Sequence, residues 1–137
     1  MTYNTLLKVT SKSFYNTDNP KVKEYIKQLV TDSITWSKNY KGNTNSINTT
    51  ISNFEFGGLL NTYKEINTNG SPLLVIWGDK DVVCPFIGMD IIKSTLKNLK
   101  TVVLHDCGHL DLWVINKYKN KMYNSTIQFF NNVDHGI

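Results

Sequence analysis

The pattern of hydrophobic and polar positions changes character near residue 70 of the 137-residue chain. Before that point the apolar residues recur at helical spacing. Val22, Tyr25, Ile26, Leu29, Val30, Ile34 and Trp36 mostly fall three or four positions apart, which predicts an amphipathic helix over residues 21–40. Pro20 suits its first turn and Asp18 or Asn19 its cap. The following "KGNTNSINTT", residues 41–50, reads as a loop by composition. A second helix is predicted from Phe54 to Ile66, stopping at "NTNGSP".

From Ser71 onward the period changes. Pro72 opens "LLVIW", an apolar run without polar alternation, as expected of a parallel strand covered on both faces. The turn "GDKD" follows, and Pro85 marks further loop. "MDIIKSTLKNL" then has helical spacing, with Ile91, Ile92, Leu96 and Leu99 on one side. "TVVL" is a second short strand, and Trp113 to about Asn131 reads as an amphipathic C-terminal helix. Strand, helix and strand in this order predict a right-handed crossover unit with a helix appended. The fold class is α/β. A polar helical segment, residues 1–69, precedes the βαβα portion, residues 70–137, and the length suits one domain overall.

Composition narrows the function more by exclusion than by indication. The fifteen basic residues are all Lys, spread along the chain, and the net charge is +4. Nucleic-acid readers depend on Arg for bidentate contacts, so no nucleic-acid partner is expected. Two cysteines without CxxC spacing make no disulfide framework and favour a reducing compartment. The longest apolar run falls far short of the ~20 residues of a membrane helix, and nothing near Met1 resembles a signal peptide. The expectation is a cytoplasmic protein without a transmembrane segment.

The richest chemistry lies in "VVLHDCGHLDLW", residues 102–113, where His105, Cys107, His109 and Asp111 occupy alternate positions. Their donor types suit zinc. However, Gly108 interrupts the strand, and alternate positions on one strand rarely converge tetrahedrally, so no metal and no cofactor is expected. In a parallel unit the loops after both strands emerge on one edge of the sheet, with the strands ~5 Å apart. An Asp of "GDKD" can then meet a His of "HDCGH", an arrangement that suggests an oriented general base. Cys84 and Cys107 lie on these two loops, where a disulfide is conceivable, but unreactive loop thiols are the simpler reading. Trp36, Trp77 and Trp113 are expected to be packing residues.

"PLLVIWGDKDVVCP", a spacer of about 20 residues, "VVLHDCGHLD" and a final helix together resemble the C-terminal third of the α/β-hydrolases. The resemblance covers roughly residues 70–133 and implies a partial α/β-hydrolase fold, with lid-like helices before it. It makes Asp81 the catalytic acid and His109 the catalytic base. Asp79 suits a turn residue bonding its own backbone, and His105 and Asp106 are expected to be loop residues. The implied reaction is hydrolysis of a carboxylic ester, lipase or esterase fashion, on an apolar acyl substrate. The chain departs from the family at the nucleophile. No G-x-S-x-G turn occurs, since Gly57-Gly58 precedes Leu59 and Gly70-Ser71 precedes Pro72. The oxyanion hole and the earlier strands would be missing with it. The chain alone is therefore expected to be inactive, either a truncated product or a half that docks onto a complementary hydrolase half. A non-catalytic binding or interaction module is the alternative. A third reading is a self-sufficient enzyme using Cys84, Cys107 or a metal.

Overall fold

The computed structural model describes residues 2–53 and 60–134. Over these residues the chain is mixed α/β and mostly helical, with six α-helices and one small parallel sheet. Helix α1 (Tyr3–Ser11) starts where the Thr2 side chain accepts a hydrogen bond from the Thr5 N–H. Helix α2 (Pro20–Asn39) has Pro20 in its first turn, and of the two expected caps it is Asn19 that accepts from Lys21 N at 3.0 Å. Val22, Ile26 and Val30, each one turn beyond the last, are its buried stripe. The stripe does not extend to Trp36, which is 59% exposed. Length explains this: at 1.5 Å per residue, the nine residues of α1 cover about half of the twenty in α2.

The stretch expected to be a loop at residues 41–50 is helical from Asn43. Helix α3 spans Asn43–Asn53 and follows a turn in which Gly42 takes φ 92°, a conformation that suits glycine. Its Asn, Ser and Thr residues are poor helix formers, hence the loop reading. In place, Thr50 and Asn53 return hydrogen bonds to the carbonyls of Ser46 and Thr49. Helix α4 (Leu60–Asn69) ends three residues beyond the expected Ile66, and the predicted start at Phe54 lies outside the described residues.

Strands β1 (Leu73–Gly78) and β2 (Leu99–Leu104) pair in parallel, with Leu73 opposite Leu99 and Gly78 opposite Leu104. Helix α5 (Ile87–Thr95) connects them and stops earlier than its sequence pattern suggests. Leu96 is already extended and Leu99 opens β2. Side chains impose the stop: the Asn67 carboxamide binds Thr95 O and Lys97 N, and the Asn98 carboxamide donates to Gly70 O. A 3₁₀ turn (Asp111–Trp113) then leads into α6 (Asn116–Asp134), which begins three residues later than expected.

Two hydrophobic clusters form the core. Phe14, Val22, Ile26 and Val114 make the first, Leu104, Cys107 and Tyr118 the second, and Ile115 packs against both. The N-terminal helices are thus seated on the segment that carries the last strand into α6. Cover of the sheet is incomplete over the described residues. Every residue of β1 from Leu73 to Trp77 is only half-buried, against the expectation of a strand enclosed on both faces. Ile87, Ile91, Trp113 and Phe130 are also exposed, Trp113 contrary to its expected packing role.

Candidate active site

Both strands deliver their loops to one rim of the sheet, and main-chain bonds sew those loops together. Asp79 N donates to Leu104 O at 3.1 Å and Lys80 N to Cys107 O at 3.1 Å. The crossing explains Gly78, because a Cβ there would lie 2.2 Å from the Cys107 carbonyl oxygen. Gly108 has a comparable reason: its Cβ would meet Tyr15 N at 2.5 Å. The glycines of the two motifs are places where another strand of backbone passes too closely for any side chain.

On this rim the structure brings Asp81 and His109 together. The carboxylate has a divided role. Oδ1 accepts from the N–H groups of Val83 and Cys84 at 2.9 and 2.8 Å, an Asx turn within its own loop. Oδ2 meets His109 Nδ1 at 2.8 Å. The two backbone donors fix the carboxylate plane, so Oδ2 is presented to the imidazole without rotamer search. The Asp81 side chain is 7% exposed and His109 36% exposed, so the pair is sheltered on the acid side and accessible on the base side. With Nδ1 engaged by Asp81, the neutral imidazole places its lone pair on Nε2, which has no hydrogen-bond partner among the described residues. Beside the pair opens a cleft of about 550 Å³, walled by Leu74, Ile76, Trp77, Leu112 and Trp113 and touching Asp81, Cys84 and His109.

A second pair stands on the same rim. Asp79 Oδ2 meets His105 Nδ1 at 3.0 Å, and Asp79 Oδ1 accepts from Asp106 N at 2.8 Å. Partial burial opposes ionisation of Asp79, but the His105 and Asp106 hydrogen bonds and the nearby Lys80 charge together hold its carboxyl below the usual value. Asp79, expected to be a simple turn residue, therefore ties the two loops together. Asp106 takes φ 55°, unusual for a residue with a side chain. Its N–H is held by Asp79, and its carbonyl accepts from the Tyr118 hydroxyl and the Asn16 amide.

The four donors at alternate positions do not share a face. His105 turns outward to Asp79, and Cys107 is buried in the second cluster. Burial, reinforced by the charges of Asp111, Asp79 and Asp81, pushes the Cys107 thiol up to about 12. It stays protonated at neutral pH and is no nucleophile. Cys84 and Cys107 are both free thiols.

Asp111 has a role that the spacing of the motif does not suggest. Fully buried, it accepts from Tyr15 N at 2.9 Å, Asn16 N at 3.2 Å, the Asn16 side chain at 3.1 Å and Gly108 N at 2.8 Å. Four N–H donors and, among the described residues, no cation satisfy this carboxylate. It clamps the turn after α1 to the residue before His109, which fixes the histidine backbone. The Gly108–Asp111 bond spans three residues and is visible in sequence as an Asp after the Gly-His pair. Its partners near residue 15 are not.

No protein-family model matches this chain, and no curated protein matches it. Among the described residues no helix is long and apolar enough to cross a membrane.

Proposed function

We propose that Asp81 and His109 are the acid–base half of a serine-hydrolase type site, acting on carboxylic esters of apolar acyl groups. The observation that carries this reading is the 2.8 Å Asp81–His109 bond at the mouth of an apolar cleft, with Nε2 left for a reacting group. In this reading His109 Nε2 takes the proton of an attacking serine and returns it to the leaving alkoxide. Asp81 holds the tautomer and stabilises the imidazolium that forms. The serine comes from polypeptide outside these residues, since the chain has no G-x-S-x-G turn. The partial α/β-hydrolase arrangement gives such a segment a natural seat: β1 pairs only with β2 among the described residues, and its side chains line the cleft. The half-buried strand and the exposed Ile87, Ile91 and Trp113 also suit a chain that docks onto a complementary half.

Two measurements test the proposal. In the chain alone, ¹⁵N NMR should find neutral His109 protonated at Nδ1, and Asp81→Asn should disturb that preference. Co-expression with the polypeptide encoded immediately upstream should yield esterase activity on a short p-nitrophenyl ester that the chain alone lacks. An Nε2-protonated His109, or ester turnover that survives His109→Ala, would overturn the assignment. The same exposed surface favours a second reading, a non-catalytic interaction module. It requires the purified chain to melt cooperatively as a monomer and the co-expressed pair to remain inactive.

A further inference from the structure

Asp81 and His109 share their side of the rim with a third group. One ligand atom each of Asp81, Cys84 and His109 lies within 4.8 Å of the others, the one such cluster among the described residues. We infer that these three side chains form a zinc site with one coordination position open to the adjoining cleft.

The chemistry of the donors selects the ion. Magnesium and calcium ask for oxygen ligands throughout. A carboxylate, an imidazole and a thiol together suit a borderline-soft divalent ion, and zinc is the usual occupant of such N/O/S sets. Asp81 and Cys84 are three residues apart on one turn, the x₂ spacing of two-ligand zinc knuckles, and His109 arrives from the neighbouring loop. In a tetrahedral complex these ligand atoms would stand ~3.3–3.8 Å apart, so the cluster must adjust by only about an ångström. Ionised aspartate and thiolate with neutral imidazole would balance the two charges of the metal.

The turn is also prepared for the task. The Cys84 N–H binds Asp81 Oδ1 at 2.8 Å, and the Cys84 carbonyl accepts from the Trp77 indole N–H at 2.9 Å. The backbone of one ligand thereby orients the carboxylate of another, the kind of supporting bond that tunes metal affinity. Cys84 is exposed, so its thiol can pivot inward without disturbing the core. The cleft beside all three leaves room for a water or an anionic ligand at the fourth position. Metal and serine proton compete for the same Asp–His pair. Zinc would therefore hold the hydrolase half in a state unable to act as a base.

The site uses residues of the proposed base but does not depend on the hydrolase reading, and the two fail separately. The test is equilibrium dialysis of the chelator-treated full chain against zinc, with metal measured by atomic emission. One zinc per chain is expected. Loss of an outer-sphere partner costs roughly 10–100-fold in affinity, so loss of a direct ligand in Cys84→Ser should weaken binding at least as much. His105→Ala and Cys107→Ala should bind as the unaltered chain does. Cobalt in place of zinc, read on the unaltered chain, should show a thiolate charge-transfer band, which guards against a variant that misfolds. Substoichiometric zinc, zinc retained by Cys84→Ser, or cobalt without the thiolate band would each overturn the site. A chain that binds no zinc can still show the Nδ1 tautomer and reconstituted esterase activity.

Discussion

Asp79–His105 and Asp81–His109 have the same chemical composition, the same two parent loops and nearly the same length, 3.0 and 2.8 Å. Their surroundings differ. His105 is 77% exposed and its aspartate 21%, whereas His109 is 36% exposed and its aspartate 7%. Only the second pair borders the cleft. In the first pair the spare carboxylate oxygen binds the opposite loop, at Asp106 N, so Asp79 acts as a stitch between loops. In the second pair it binds its own turn, at Val83 and Cys84, so Asp81 is oriented from behind and its free oxygen addresses the imidazole alone. An Asp–His hydrogen bond is therefore not a site in itself. What separates the two is where the remaining oxygen goes and what the far side of the ring faces.

Under the proposed hydrolase function, the widest separation is expected in the ester turnover of the co-expressed pair. His109→Ala is expected to lower kcat by about 10⁶-fold and Asp81→Asn by about 10⁴-fold. His105→Ala and Asp79→Asn should change it by less than about tenfold, because neither borders the cleft. Equal losses in both pairs, measured as ester turnover, would erase the distinction.

Asp111 offers the next largest effect. Asp111→Ala leaves the buried N–H of Gly108 and the part-buried N–H groups of Tyr15 and Asn16 without their acceptor, at about 1–3 kcal/mol for the buried group and less for the others. Thermal and urea melts should show a loss of roughly 2–3 kcal/mol. The comparison sharpens if ¹⁵N spectra of the surviving folded fraction show His109 losing its single tautomer while His105 keeps its partner.

A smaller, pH-dependent effect belongs to Cys107, which lies between the two histidines. Its thiol is raised from 9.0 to about 12 in the folded chain, so the stability associated with the buried neutral form is complete below pH 9 and drains away above it. The slope is at most ~1.4 kcal/mol per pH unit. Urea midpoints of the unaltered chain and Cys107→Ala, measured from pH 8 to 10.5, should diverge in that direction, the variant being flatter.

The smallest effect is that of Asp79. Its carboxyl is held low in the fold, so its contribution is present above the ordinary carboxylate range and fades as acid protonates it. As a largely solvent-screened contact it is worth ~0.2–1 kcal/mol. Asp79→Asn should remove a slight loss of stability below pH 4, visible as a difference in melting temperature.

Much of the rim was legible in the sequence because it depends on local order. The apolar run "LLVIW", the turn after it and the Gly-His pair after "TVVL" place Asp81 and His109 on adjoining loops once the strands are parallel. The helix of residues 21–40 was legible through Val22, Ile26 and Val30. What escaped depends on partners far along the chain. Residues 43–53 contain the side chains of a loop, yet they coil, with the Thr50 hydroxyl and the Asn53 amide turned back onto the helix's own carbonyls. The α5 stop is set by Asn67, some thirty residues upstream. Asp111 only continues the motif's alternate spacing, whereas three of its four N–H donors belong to Tyr15 and Asn16, about ninety-five residues away. Asp79 reads as a turn residue because aspartate often bonds its own backbone in turns, whereas its partners lie on the neighbouring loop at His105 and Asp106. Cys84 reads in sequence as an unreactive loop thiol, and its closeness to Asp81 and His109 becomes visible only with the turn in place.

The Tyr15–Asp111 bond joins residues 96 apart, which sets an order of events during synthesis. Tyr15 leaves the ribosome long before Asp111 exists, so the first two helices must wait without the segment they rest on. Closing so wide a loop belongs to the slow, late steps of assembly. The histidine two residues before Asp111 therefore reaches its final position only after Asp111 has joined Tyr15, and nascent molecules lack the finished rim until the residues around Asp111 have emerged.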